Sequence, residues 1–574
     1  RSLVRASELG IVVLAALVGV LAGLVVIAMN WATQALHEII FRIPAGSHLS
    51  TASDIAPALT VLGPSLGGLA FGLVSWMVFR RATGQPVDPI EANALRGGRM
   101  SLWDSLVVAL QTMASSGVGA SVGLEAGYTQ ASSGLASRIG QMLRLRRADL
   151  RLMVGCASGA AIGAAFDAPL MGAFYGFELI LGTYSIPAFV PMMTASFTAT
   201  LTRQVIMPEM HPPLPSLGVP SIDALPVVIL LGVVCALVGI AVMQGATLVE
   251  AGFRRSSLPN YVRPAIGGLA VGGLALWSPT VFSAGHGAVY QYVASNETLL
   301  LLGLLLAAKL IASSVSIGSG FRGGLFFASL LMGVLTGQIF AGVLELAAPH
   351  MAPSHSFYAL IGMSALAVSV VGGPMTMTLL ALEMTGDLKL TLAVLAAAGT
   401  ASLVTRRLFG FSFATWRFHL RGENIRGAHD IGWLRDLTVA SLMRLEVPQV
   451  DIDTPLAEVR RKYPPGSTSY LVVTEHGDIY AGMVPPAALY EPTDAAAPQT
   501  LRPLLRHTDQ TLRPEMPIQD ALAIFEHAEA DALAVVADER DRKLVGILSE
   551  AHAIKRYSDE MGRRMNDMAG ERID

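Results

Sequence analysis

The chain has 574 residues, 52% of them hydrophobic and only 14% charged, with a mean hydropathy of +0.54; a soluble protein carries about 25% charged residues. A net charge of −3 is too small to imply a nucleic-acid partner. Its two cysteines, Cys156 and Cys235, both sit in apolar stretches and argue against a disulfide framework or a thiolate metal site.

The shortage of charge is concentrated before about residue 410, where apolar runs approach the ~20 residues a spanning helix needs. Gly10–Ala28 is the first such run, and it leads onward without an A-x-A-type site, so it is expected to be a membrane helix and not a cleaved signal. Val61–Phe79, Leu225–Val242, Leu299–Ser316 and Leu388–Val404 follow. Arg144, Arg146, Arg147 and Arg151 cluster in one short loop, and Arg406 and Arg407 follow the last span. The positive-inside rule places both clusters, and the tail after them, in the cytoplasm. The chain is therefore expected to be a multi-pass protein of an inner or plasma membrane, with the lipid bilayer as its first partner.

Glu125 stands inside one of the apolar stretches, in Gly119-Ala-Ser-Val-Gly-Leu-Glu-Ala-Gly127. A charge at membrane depth costs at least ~2.5–3.5 kcal/mol on insertion scales, so such a residue persists where it lines a cavity or a path. An acidic side chain among glycine-exposed amides suits a gate on an anion route.

The membrane part repeats itself. Phe166-Asp-Ala-Pro169-Leu-Met-Gly-Ala-Phe-Tyr-Gly-Phe-Glu178 matches Val371-Gly-Gly-Pro374-Met-Thr-Met-Thr-Leu-Leu-Ala-Leu-Glu383 with the same spacing from proline to glutamate. Small-residue runs, Gly155–Ala165 and Ile361–Val368, precede them, and glycine breaks around Gly123 and at Gly318–Gly324 lie further upstream. Paired interruptions in corresponding halves point to a transporter site near the midplane. Broken helices at that depth are tolerated only where the backbone is buried in protein or lines a cavity, and helix amino ends favour anions. The sequence displays similarity between the halves; their inversion is an inference. Glu178 and Glu383 recur by symmetry, which suggests that each caps a neighbouring helix.

The division expected is a membrane domain at 1–410, a linker at 411–435 and a tail at 436–574, with units at about 436–490 and 500–560. In the tail, Pro455–Tyr463 and Ile518–Ala528 have helical character, while Ser469–Thr474, Ile479–Val484, Ala532–Ala537 and Leu544–Leu548 are strand-like. His476-Gly-Asp is a turn between two of the strands. Alternation of this kind fits a small α/β pair.

From Leu3 to Gly410 these segments resemble, in order, the CLC family of chloride channels and proton-coupled chloride antiporters. The tail resembles a tandem of CBS domains. Gly123-Leu-Glu125-Ala-Gly127 matches the family's G-[KR]-E-G-P gate segment. Gly324-Leu-Phe326-Phe-Ala328 matches G-x-F-x-P, and Gly84-Gln-Pro-Val-Asp88 matches G-S-G-I-P weakly. The resemblance implies an all-α polytopic membrane domain of two related, inverted repeats with a cytosolic α/β CBS pair, assembled as a homodimer. It implies chloride or a similar small anion as the transported species, no enzyme activity, no cofactor and no metal. Glu125 would be the gate, occupying an anion position when ionised. The anion donors would be the backbone around Leu124, Ala126, Leu325, Phe326 and Phe327, with Gln85 at the central serine position and Thr415 beside the pore-tyrosine position.

Departures from the family pattern bear on mechanism. The relay glutamate of many family antiporters aligns with Leu179, next to Glu178, so the candidate proton path is Glu125 with Glu178. The gate segment ends in Gly127 where the family has proline. These differences favour a channel or a loosely coupled transporter, with strict chloride/proton antiport as the alternative and a CBS-bearing divalent cation channel as a remote one. Glutamine at the central serine position decides neither chloride nor nitrate. In the tail, Gly546-Ile-Leu-Ser549-Glu-Ala-His552 approximates an adenine-nucleotide motif of CBS pairs with histidine replacing its aspartate. Ser549 and His552 are the candidate nucleotide contacts, and that replacement weakens the expectation.

Overall fold

The computed structural model describes residues 8–79, 86–208, 225–348, 354–410, 412, 415–416, 437–468, 470–490, 500–538 and 540–569. Contacts divide the chain into two units, Arg1–Asp430 and Ile431–Asp574. Except for Ser412, Thr415 and Trp416, the linker expected at 411–435 lies outside the described residues.

The first unit is helical. Its first half runs α1 (Glu8–Phe41), α2 (Pro57–Phe79), α3 (Pro89–Leu95), α4 (Leu102–Gly117), α5 (Glu125–Leu143), α6 (Arg147–Phe166), α7 (Pro169–Tyr175) and α8 (Ile186–Ile206). A π-helical turn, Gly176–Leu181, continues α7. The second half runs α9 (Leu225–Arg255), α10 (Arg263–Ala275), α11 (His286–Val293), α12 (Leu299–Ser319), α13 (Phe326–Ala347), α14 (His355–Val371), α15 (Pro374–Thr385) and α16 (Leu388–Leu408). Among the described residues the two series correspond helix for helix. The packing repeats as well: α1 lies on α8 as α9 lies on α16, and α5 lies on α6 as α13 lies on α14. Across the halves, α2 packs on α10 and α7 on α15.

Seven of the described helices are long and apolar enough to cross a membrane. Five of them contain the runs expected from sequence. The other two, α6 and α13, are mostly surrounded by protein. Buried in this way, α6 needs no lipid-facing apolar surface, so glycine, alanine and serine make up much of it, and small residues let helix backbones approach. Ser133 on α5 and Ser158 on α6 share a hydrogen bond of 2.6 Å at such a contact.

In the second unit, α17 (Val439–Leu442) precedes β1 (Gln449–Asp451), α18 (Leu456–Lys462), β2 (Leu471–Glu475) and β3 (Ile479–Val484). β1 runs parallel to β2, and β2 antiparallel to β3. At the hairpin, a three-residue loop joins Glu475 to its partner Ile479, and its His476 (φ 53°) and Gly477 (φ 97°) are both left-handed. α19 (Ile518–Ala528), β4 (Ala532–Val536), β5 (Leu544–Ser549) and α20 (Glu550–Ala569) form the second member. There Leu512 bridges Val535 in parallel, just as Val450 faces Val473 in the first member. Val472, Tyr480 and Met483 pack with Ala534, Val536 and Ile547 in one core. Burial raises the Tyr480 phenol above its usual range, and its hydroxyl donates to the His507 carbonyl at 2.8 Å.

The two halves of the membrane domain exchange carboxylates. Glu178 accepts from the N–H groups of Met375 (3.0 Å) and Thr376 (2.9 Å) and from the Thr376 hydroxyl (2.6 Å), at the start of α15. Glu383 accepts from the N–H groups of Leu170 (2.7 Å) and Met171 (2.9 Å), at the start of α7. The first N–H groups of a helix have no partner within it, and an anion there also meets the positive end of the helix dipole. Each half thus supplies the charge that the other's short helix lacks. Replacing Glu383 by alanine removes the acceptor from two N–H groups at a cost of about 1–3 kcal/mol. The purified Glu383→Ala protein is expected to unfold at a lower temperature than the wild type in detergent, and an unaltered midpoint would show that solvent already reaches the α7 amino end.

Candidate functional site

The site begins with the two glycine breaks. Gly123 N–H donates to the Gly324 carbonyl at 2.9 Å, and Gly324 N–H returns a bond of 3.1 Å to Gly123. This antiparallel bridge joins equivalent residues of the two halves, as a two-fold relation between inverted repeats requires. Immediately after it, α5 opens at Glu125 and α13 at Phe326. Their first bonds inward are Gly127 and Tyr128 to Leu124, and Ser329 to Leu325. The earlier N–H groups therefore have no acceptor within their own helices, and two amino ends meet in one place.

Glu125, only 4% exposed, lies between them. Its Oε1 accepts from the Phe327 N–H of the other half at 3.2 Å, while its Oε2 is buried with no hydrogen-bond partner. The missing side chain at Gly123 makes the room, since a Cβ there would collide with Oε2. The carboxylate borders a cavity of about 170 Å³ whose wall includes Ala126, Leu325, Phe326, Tyr175 and Leu179. The half-buried Arg322 also borders this cavity, and its Nε donates to Gln111 at 3.3 Å.

The residues expected from sequence divide among several places. Glu125, Ala126, Leu325 and Phe326 share the cavity wall. Leu124 and Phe327 line a second, larger cavity instead, although the Phe327 N–H still holds Glu125. Glu178 is committed to α15 and is absent from the wall, where Leu179 stands. Thr415 does not reach the cavity: its hydroxyl is bound to Ser412, accepting from that N–H at 2.9 Å and donating to that carbonyl at 3.2 Å. A threonine hydroxyl beside a turn satisfies itself locally on nearby backbone. Gln85 lies outside the described residues, and the part of that segment lining the cavity is Pro86, Asp88, Pro89 and Ile90. In the tail, Ser549 ends β5 opposite Ala532, and His552 lies half-buried in the first turn of α20.

Two ionisable wall residues were not singled out from the sequence. Asp88 caps α3, accepting from the Ile90 N–H at 2.9 Å, and Tyr175 lies within electrostatic reach of both Asp88 and Glu125. Asp-Pro before a short helix is a legible cap signal, but nothing local shows that the cap faces a cavity.

The chain matches the voltage-gated chloride channel family model over residues 66–406, more than half its length. It belongs to the CLC family. A CBS domain model matches residues 503–559. Among curated relatives, the voltage-gated ClC-type chloride channel ClcB of Salmonella typhi is 28% identical over 404 residues, 69% of this chain and 95% of that protein. ClcB of Escherichia coli O9:H4 (strain HS) is 28% identical over 401 residues, with the same coverage of each chain. Among solved structures, a slow cyanobacterial Cl-/H+ antiporter is similar with a TM-score of 0.63 and 21% identity, covering 72% of this chain and 97% of that one. A eukaryotic CLC transporter is similar with a TM-score of 0.57 and 17% identity over 94% of this chain and 97% of that one. At those identities the structures speak for the fold. This CLC protein is thus an integral membrane protein of a chloride-transport family with a CBS-bearing tail.

In this CLC chain the position of the Glu125 carboxylate depends on the glycine two residues before it. Gly123→Ala should push Glu125 off the Phe327 N–H, so its anion flux, measured from liposomes across pH, is expected to behave as that of Glu125→Gln does. A Gly123→Ala variant with native pH response would mean that the carboxylate rests elsewhere.

Proposed function

We propose that this chain carries chloride or a similar small anion along a path gated by Glu125, as a channel or loosely coupled transporter, in a homodimer whose subunits each have their own path. One observation supports this above all. Two helix amino ends from opposite halves meet at the Gly123–Gly324 bridge, and the carboxylate between them is satisfied at one oxygen only. Partial charges of this kind replace the water shell of a large, weakly hydrated anion without trapping it, and the same donors serve either the anion or the Glu125 carboxylate. Competition between the two is the gate.

Loose coupling rests on Leu179, which borders the cavity where a relay acid would stand, and on Glu178, whose oxygens are occupied by α15. Strict antiport is favoured by a different observation: Asp88 and Tyr175 border the same cavity as Glu125, offering a second carboxylate and a phenol as proton carriers. For the tail, bracing of the dimer is the preferred role over nucleotide binding, because His552 stands where the motif wants aspartate.

Reconstituted protein under combined chloride and pH gradients separates the modes. A reversal potential that follows the chloride gradient alone is expected, and chloride-driven uphill proton movement would overturn the loose-coupling reading. In that event Asp88→Asn should abolish proton movement while anion flux persists. Glu125→Gln is expected to carry anions with no dependence on pH, and a retained pH response would remove Glu125 from the gate.

A further inference from the structure

A second cavity, about 520 Å³, lies beyond Phe166 and Phe327 and is bordered by α1, the start of α5, the end of α8 and the start of α11. It meets the gate through an aromatic stack. His286 lies on the Phe327 ring at 3.7 Å between centroids, and Phe166 lies parallel to the same ring at 5.2 Å. Phe327 is also the residue whose N–H holds Glu125.

Among the described residues that border the cavity none is acidic, while Arg203, His37, His48 and His286 are basic. The ionisable groups acting most strongly on His286 are His48, His37, Lys309 and Arg203, all of them bases. Arg203 is 3% exposed and pairs with Asp167 at 3.8 Å, a carboxylate that does not border the cavity. Leu124 borders it too, at the position where the family's gate motif carries lysine or arginine. Here the basic charge arrives from α8 instead.

An unsatisfied hydroxyl marks where a ligand would sit. Threonines on the helices of this domain return their hydroxyls to the carbonyl four residues back: Thr112 to Val108, Thr200 to Ser196, Thr336 to Met332. Thr33 on α1, 4% exposed and on the cavity wall, has no hydrogen-bond partner for its Oγ1. A buried donor in a native protein is ordinarily satisfied. Here Thr33 borders an acid-free space about three times the volume of the gate cavity.

We propose that this cavity is a second anion-binding site, a vestibule in which an inorganic anion is held by Arg203, Thr33 and His286 on its way to or from Glu125. The inference rests on reading Glu125 as the gate of an anion path. The arginine-bearing turn between α5 and α6 is cytoplasmic by the positive-inside rule, so Phe166, at the opposite end of α6, puts the vestibule on the non-cytoplasmic side. A chamber there whose described lining has no acid does not repel an entering anion. An anion in it also sits against the ring of the residue that restrains the gate.

Bromide, which scatters anomalously, tests occupancy in the full-length protein. Crystals grown in bromide should show a peak among Thr33, Arg203 and His286, and Thr33→Val, which keeps the side-chain shape, should weaken it. In liposomes Thr33→Val is expected to raise the half-saturating chloride concentration for efflux by about threefold to tenfold, the worth of one hydrogen bond, and Arg203→Gln by more. Bromide found only beside Glu125 and Phe327, with unchanged half-saturation in Thr33→Val, would overturn the vestibule site and leave the gate standing. Absence of any anion flux from the wild type would overturn the transport reading, and the bromide peak would still decide the site.

Discussion

A helix that begins inside a membrane protein exposes amide N–H groups where no water can reach them, and something negative must meet them. That constraint organises the membrane domain. At α7 the anion is Glu383 and at α15 it is Glu178, each sent by the opposite half. At the paired starts of α5 and α13 it is Glu125, reaching across to the Phe327 N–H. The same interaction locks the two halves together at the first two places and leaves a changeable contact at the third.

The difference lies in how fully each carboxylate is satisfied. Both oxygens of Glu178 and both of Glu383 accept hydrogen bonds from the helix they cap. Glu125 has one oxygen bonded and the other buried without a partner, beside a cavity. A doubly bonded cap is a structural element. A singly bonded one next to open space can be displaced by another anion, and displacement is what a gate needs. The capping acids and Glu125, the gate proposed above, are therefore one physical device at different degrees of completion.

The surroundings of Glu125 are also asymmetric. On one side lie Asp88, Tyr175, Leu179 and Arg322, a mixed wall around a small space. On the other lies a larger chamber with bases and no described acid. Phe166, Phe326 and Phe327 stand between them, with Phe166 in contact with both of the others. An ion passing from one side to the other would exchange an environment of basic side chains for one of backbone amides. This arrangement suits a path along which no single site holds its occupant too tightly.

Much of this was legible in the linear chain. Apolar length marked the lipid-facing helices, the Pro-to-Glu repeat disclosed two related halves, and the isolated acid in a glycine break picked out Glu125, because desolvation cost and backbone freedom are properties of local composition. The short tail elements were legible for the same reason, with Ile518–Ala528 and Ile479–Val484 found where periodicity and β-branching placed them. Only tertiary structure decided that Glu178 is spent on α15 while Leu179 borders the cavity, that Thr415 turns back on Ser412, and that Asp88, Thr33 and Arg203 face internal space. Those outcomes depend on which residues, often more than a hundred positions apart, are brought within hydrogen-bond distance. Local sequence can state that a helix end or a hydroxyl needs a partner, but the folded chain selects the partner.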